Sequence, residues 1–466
     1  MKTIIRREFL DRVQSFQFTI LLGLTVVLFA ANGLIFVKSN AQKVDAFQKT
    51  TSMTGEGMST MMTILARSPS PLLFIADGDD KDRPSAYTLW PGGTFWARTP
   101  NPRTFKLPAI PPLDWAFIIG TLFSLYTILL GYNAISGERE DGTLRLVLSN
   151  PVGRVRLLAA KYLSIFSSVA ATLLAGALVS LLIIGILAPQ ILTLPNMSRI
   201  VLVLVSALAY VSVFSFLSLF FSALIPRSSL VLLALLGVWV LFAVVIPSSS
   251  AVLMEKLTGA SREIQAARMQ QPTIQKEIWA RIEDIRMKAE RGEFKTEEEI
   301  KAAADRAFED GQAKLNRFYD NFDKNQRRKL EAARNLSRLS PAALFQYAAE
   351  SLILSGIIGE DQFLRQARDY ARVYDAYILK KLGKVVQTAN FKFSTEIKFN
   401  GKAIDLNSPQ PQEYRGDKSD FPVFSERRPS LGAGLKSALG DLAGLILWNI
   451  VLAVMAFAAF IRADVR

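Results

Sequence analysis

Six runs of apolar residues, each long enough to cross a hydrocarbon layer as a helix, constrain this chain more than anything else in it. They lie at about 16–37, 115–132, 163–187, 200–224, 230–246 and 439–461. A bilayer needs roughly 17–25 apolar residues per helical crossing, and inside it every backbone polar group must be bonded within the segment. The expectation is an α-helical polytopic membrane protein with six transmembrane helices. Residues 1–15 put Ile4, Ile5, Phe9, Leu10 and Val13 on one helical face and Arg6, Arg7 and Arg12 toward the other, as an amphipathic helix lying at the membrane surface does. A secretory signal is the competing reading, but 16–37 lacks a small-x-small cleavage site and is long enough to span.

Two segments are too polar for the membrane. The first, 38–113, has a helix-like first half and an irregular remainder around Pro69, Pro71, Pro84 and Pro91. The second, 254–437, is expected to be mainly helical with minor β structure. Ile274, Ile278, Ile282 and Ile285 form one stripe at helical spacing. Thr296 with Glu299 reads as a capping box opening a second helix, whose face continues through Phe308, Leu315, Phe318 and Phe322, as core between paired helices rather than as a ligand box. Ser340 followed by Pro341 opens a further helix, and 361–386 is helical as well. Phe391, Phe393, Thr395, Ile397 and Phe399 then alternate, and Asn400-Gly401 offers a type I′ turn into a second short strand.

Short segments set the orientation. Lys2, Arg6, Arg7 and Arg12 precede the first span; Arg139, Arg145, Arg154, Arg156 and Lys161 lie in the 133–162 loop; Arg227 joins the fourth and fifth spans; Arg462 and Arg466 follow the last. The opposite-side loop before the fourth span holds only Arg199. The positive-inside rule then makes both termini and the 133–162 loop cytoplasmic and leaves 38–113 and 254–437 as a small and a large extracytoplasmic domain. The charge of the latter is discounted because long domains translocate largely regardless of it.

Chemistry is bounded by what is missing. The 466 residues contain no cysteine and no histidine, which removes disulfides, thiolate and imidazole metal sites, and every His- or Cys-based catalytic arrangement. The net charge of +14 sits beside apolar runs or alternates with acids on helical patterns, so membrane lipid rather than nucleic acid supplies the counterions. No cofactor is expected in this chain. Met53, Met58, Met61 and Met62 are the weak candidates for a thioether metal site, against which Met58, Met61 and Met62 stand at helical contact spacing beside Ile64 and Leu65, as core residues would. The span interiors carry no ionisable residue apart from Asp441, near the start of the last, which is expected to reach the interface. Ion coupling is thus disfavoured, and no phosphate-binding G-x-x-x-x-G-K-[ST] occurs; Gly432-Ala433-Gly434-Leu435-Lys436-Ser437 lacks the spacing. Energy must come from another chain.

The loop itself reads as two short helical pieces with a turn at Gly142, the second ended by Ser149-Asn150-Pro151, followed by Arg154, Arg156 and Lys161 at a spacing that suits lipid phosphates. On residues alone a solvated basic loop is an adequate account. The pattern Gly137-Glu138-Arg139-Glu140-x-Gly142-Thr143-Leu144, then Leu148-Ser149-Asn150-Pro151-Val152-x-Arg154 and Lys161, resembles the first cytoplasmic loop of ABC-2 type transporter permeases. Leu339-Ser340-Pro341-Ala342 and the ending Phe460-Ile461-Arg462-x-Asp464-Val465-Arg466 are similar to permeases grouped with multicopper-enzyme maturation and gliding motility. The resemblance implies a membrane subunit of an exporter, with a coupling helix docked on a separate cytoplasmic ABC ATPase that holds ATP and Mg, and a second copy or a paralogous permease alongside. By the same resemblance Gly142 and Pro151 shape the loop, Glu138, Arg139, Glu140 and Arg145 make polar docking contacts, and Leu144 and Leu148 fill a groove on the ATPase. Gly137, Thr143, Ser149 and Arg154 belong to the same coupling motif. The uncharged spans fit an amphiphilic substrate. The alternative is an ATP-driven anchor that transports nothing and whose outer domain acts on an envelope protein partner.

Overall fold

The computed structural model describes residues 2–56, 63–77, 85–90, 94–98, 113–149, 153–249, 260–382, 397–399, 402–404 and 420–462. The polytopic helical architecture is borne out: among the described residues six helices are long and apolar enough to cross a membrane. After α1 (Lys2–Val13), α2 (Phe16–Glu56) carries the first span and continues well past its apolar run, because extending an existing helix needs only one residue fixed per bond gained. The second span begins as α3 (Trp115–Phe117), passes through a π-helical turn at Ile118–Phe123 and ends as α4 (Ser124–Gly131). The loop helices α5 (Ser136–Glu140) and α6 (Thr143–Ser149) precede α7 (Arg154–Leu187), α8 (Leu194–Leu224) and α9 (Ser228–Val240), the last followed by a second π turn at Leu241–Val245.

The spans approach through small residues, their buried hydroxyls are bonded mostly within their own helices, and Tyr162 and Ser212 bond across the third and fourth at 2.7 Å. Hydrocarbon tails give no hydrophobic drive between helices, so close approach and satisfied hydroxyls must supply the association. Ser168, Thr172, Ser215 and Ser218 are buried and donate to carbonyls one turn back at 2.8–3.0 Å. A Cβ on Gly131 would lie 2.6 Å from that of Ser218, so glycine is what lets the second and fourth spans touch.

Both polar segments depart from expectation. In 38–113 the Pro-rich stretch is not merely irregular: β1 (Thr63–Ala66), β2 (Ala86–Trp90) and β3 (Thr94–Arg98) form an antiparallel sheet in that order. Between β1 and β2, Leu72–Ala76 turn back among the spans and are buried. Non-helical backbone at that depth survives because its polar groups are bonded: Phe74 O accepts from Trp115 N (3.0 Å) and Asn32 Nδ2 (3.0 Å), Ile75 O from Ala116 N (2.8 Å), and Asp114 Oδ2 from Asp77 N (2.8 Å).

In 254–437, α10 (Ala260–Glu290) and α11 (Glu297–Ser337) form the helical hairpin, with Thr296 Oγ1 accepting from Glu299 N (3.3 Å). The face of α11 against α10 is set by small residues, Ala304, Ala307 and Gly311 below Ile300, with Phe318 only half-buried against Ile274 and Ile278; the side chains of Phe308, Leu315 and Phe322 lie outside the described residues. The next helix, α12 (Pro341–Ile353), is not extramembranous. It is wedged between the fourth and sixth spans: Phe345 stacks on Tyr210 at 5.1 Å, halfway along α8, and Ser340 Oγ donates to Phe242 O in the π turn of the fifth span. The chain thus dips from beyond one end of the spans to mid-span and returns. The sixth span, α14 (Leu431–Arg462), receives the descending end of α11 through Asp441, which is fully buried and bridged to Arg334 (3.3 Å) and Arg338 (2.6 Å) rather than reaching the interface alone.

Part of the second polar segment shares a core with the first, which joins them into one cap, while the α10–α11 hairpin keeps clusters of its own. α13 (Gly356–Leu382) lays Phe363, Tyr370, Tyr374 and Ile378 against Leu65, Tyr87 and Leu89 of the sheet. A final pair, β4 (Ile397–Phe399) and β5 (Lys402–Ile404), flanks Asn400-Gly401; residues 391–396 lie outside the described ones.

Candidate functional site

At the end of the bundle opposite that cap, the 132–162 loop gathers a network of charged contacts that reaches several helices. Gly142 adopts φ +69°, the left-handed region that favours glycine, and so closes the corner between α5 and α6. Ser222 Oγ of the fourth span accepts from Ile135 N (2.9 Å) and Ser136 N (3.0 Å), and that anchors the first turn of α5. Gly137, half-buried in α5, donates its N–H to Asn133 O (3.0 Å).

From there Arg139, Glu140 and Arg154 go to three different helix ends. Arg139 donates to Ala223 O (3.3 Å), one of the carbonyls left open at the C-terminus of the fourth span. Glu140 accepts from Ser228 N (3.0 Å) and Ser228 Oγ (2.7 Å), a carboxylate at the N-terminus of the fifth, where the helix dipole favours it. Arg154 donates to Ile461 O (2.5 Å) at the end of the sixth. Lys161, on the third, is 1% exposed and donates to Glu138 Oε1 (2.6 Å) and Glu8 Oε1 (3.2 Å). Glu8 lies 3.7 Å from Arg12, whose guanidinium also donates to Leu130 O at the end of the second span.

These contacts correct several expectations. Lys161 does not grip lipid phosphates; it is buried among carboxylates. Arg12 does not face water from an interfacial helix, because α1 packs along α7 and its arginine caps a span. Glu138 and Arg139 are spent on internal clamps rather than presented outward. Leu144 is 2% exposed in a cluster with Ile135, Leu157, Leu219 and Phe460, so it holds α6 down instead of filling a partner's groove. The exposed face is made by Asp141, Thr143, Arg145, Leu146 and Ser149, with Glu140 at its edge. Leu146, not singled out from sequence, is 70% exposed and takes the outward apolar position. The side chain of Leu148, and Asn150 and Pro151 altogether, lie outside the described residues. So do Met58, Met61 and Met62 and the side chain of Met53; Ile64 and Leu65, beside which a helix was expected, belong to β1. Among the described residues no group of three or more Asp or Glu side chains is placed to hold a metal ion.

Six helices among the described residues that are long and apolar enough to span, with one loop tied to the ends of several of them, describe a multi-pass membrane protein. The chain belongs to the ABC-2 family: the model for "ABC-2 family transporter protein" matches residues 2–465. No curated protein matches it. Membership makes this a membrane subunit of an ABC transporter, of a kind that is generally non-catalytic, that implies an ABC ATPase as partner and that usually pairs with a second permease.

Proposed function

We propose that the chain is the permease of an ABC-2 exporter in a bacterial inner membrane, with the 133–162 loop and both termini cytoplasmic and two permease copies per complex. ATP hydrolysis on the separate ATPase acts on the exposed face Glu140–Ser149. The observation that carries this reading is the clamping of the loop's charges. Arg139, Glu140, Arg154 and Lys161 join it to the fourth, fifth, sixth and third spans, so a push on α6 reaches them together. The substrate class that suits uncharged spans seamed with hydroxyls is an amphiphile.

Topology tests it directly, because the native chain has no cysteine. Arg156 and Glu298 are both exposed, at opposite ends of the molecule. A membrane-impermeant maleimide added to intact cells should label Glu298→Cys and leave Arg156→Cys unlabelled. Labelling of Arg156→Cys alone would put the loop outside, out of reach of any ATPase, and end the exporter reading.

One observation favours the second reading, a mechanical anchor. The α11–α12 dip seats the outer hairpin directly against the fourth, fifth and sixth spans through Phe345, Ser340 and Asp441. Span movement would be delivered to the cap without any substrate. ATP turnover stimulated by amphiphiles supports export, whereas stimulation only by an envelope protein supports the anchor.

A further inference from the structure

On the cap side of the spans, a cavity of about 250 Å³ opens between the start of the fourth span, the end of α12, α13 and the stretch leading into the sixth. Four arginines line it, Arg67, Arg199, Arg427 and Arg428, against one carboxylate, Glu426. That carboxylate accepts from Ser68 N at 2.7 Å and its charge also bears on Arg428, which leaves the lining positive by three charges. Arg428 donates to Ser68 Oγ (3.3 Å) and Pro69 O (3.1 Å), both neutral.

Arg199 is the telling member. It is 7% exposed, and its two terminal nitrogens donate to Leu352 O and Pro429 O, each at 2.7 Å. Among the described residues no carboxylate forms an ion pair with it. A guanidinium stays protonated at any working pH, and carbonyl dipoles orient it without cancelling its charge. Burying a charge without a counterion is expensive. The same wall holds a second unfilled valence: Gln362 Oε1 is buried with no hydrogen-bond partner among the described residues. Its amide is a rotor whose NH2 can be turned to an anionic oxygen instead.

We infer that this cavity is a binding site for a phosphate-type oxyanion, held by Arg199, Arg67 and Arg428. Its level, where the fourth and sixth spans begin, matches the phosphate layer of a bilayer, so the headgroup of an anionic phospholipid is the natural source and free phosphate the other. The site owes nothing to the loop and stands whether or not the loop drives transport.

The test uses the full chain in neutral detergent. Native mass spectrometry with equal amounts of phosphatidylglycerol and phosphatidylcholine should show about tenfold preference for the former, the step expected from one or two charge-assisted bonds. In parallel, thermal unfolding is followed in inorganic phosphate against chloride at equal ionic strength. Lipid preference identifies the headgroup as the ligand; a phosphate-specific rise in unfolding temperature without lipid preference identifies the free anion. Either supports the site. Because Arg199→Gln removes two 2.7 Å bonds from a buried side chain while Arg428→Gln removes only longer ones, Arg67→Gln with Arg428→Gln carries the comparison and should abolish the preference or the rise while leaving the elution profile unchanged. No preference and no rise in the native chain, or an effect undiminished in the double variant, overturns the inference.

Discussion

Lys161→Met removes an ammonium of which 1% is exposed and leaves a side chain of similar length in its place, so the loss measured is electrostatic rather than steric. Two carboxylates lose their partner: Glu138 loses a 2.6 Å contact and Glu8 a 3.2 Å one. Glu138 Oε2 already has no hydrogen-bond partner among the described residues, so its carboxylate depends on Lys161. Breaking a buried pair from one side costs about 3–5 kcal/mol. Here the acids are 25% and 23% exposed and partly rehydrate, and Glu8 retains Arg12, which brings the expected loss to about 2–3 kcal/mol. Glu138→Gln should cost less, about 1 kcal/mol, since Lys161 keeps Glu8 and an amide oxygen can still accept. The double variant should be no worse than Lys161→Met, giving a coupling energy of about 1 kcal/mol. Thermal unfolding in detergent reads the ranking. An unfolding profile for Lys161→Met indistinguishable from the native one would refute the reasoning, because a buried ammonium with two carboxylate partners cannot be replaced so cheaply.

Asp441→Asn leaves Arg334 and Arg338 facing a neutral amide in a fully buried position and should destabilise by about 3 kcal/mol or more, measured by the same unfolding assay; faster proteolysis within α11 should accompany it. Asp114 is 7% exposed, and burial pushes its carboxyl up to about 7 despite N–H bonds from Phe117 and Asp77. Its folded pKa lies above the unfolded one, so between about pH 4 and 7 the folded chain holds the extra proton and stability falls as pH rises through that window, by on the order of 3–4 kcal/mol in all. Asp114→Asn should flatten this slope, and an unchanged slope in the variant would locate the titration elsewhere.

Much of the architecture was legible because a bilayer reads hydropathy and little else. The six apolar runs, the Thr296 and Ser340 caps and the turn at Gly142 all depend on residues near in sequence, whose consequences are local. The rest depends on partners far apart. Glu138 and Lys161 were visible as charges, but nothing in a charge tells whether it faces a phosphate or a carboxylate 23 residues away. Leu144 and Leu146 differ only in helical phase, and which one points inward is decided by Leu157, Leu219 and Phe460 beneath. The apolar stretch Pro341–Ile353 is too short to span, which assigned it to the outer domain; its hydrophobicity was the unused signal for a dip into the membrane. The π turns at Ile118–Phe123 and Leu241–Val245 carry no proline and left no mark in the pattern, yet their Gly120 and Phe242 carbonyls receive Tyr210 and Ser340.

The dip of α12 bears on how this chain can be cut and exchanged. A polar insert between two spans invites treatment as a module, to be deleted for a minimal permease or swapped to change its partner. Excision of 254–437 would instead strip the face of Tyr210 that Phe345 covers, leave the Phe242 carbonyl without its donor, and bury Asp441 with neither arginine. A graft that respects the molecule changes α10, the outer part of α11 and the cap, and keeps residues from Arg334 to Ile353 with the spans. A substitution in the hairpin beyond Arg334 therefore leaves these contacts alone, whereas one from Arg334 to Ile353 meets the membrane bundle directly.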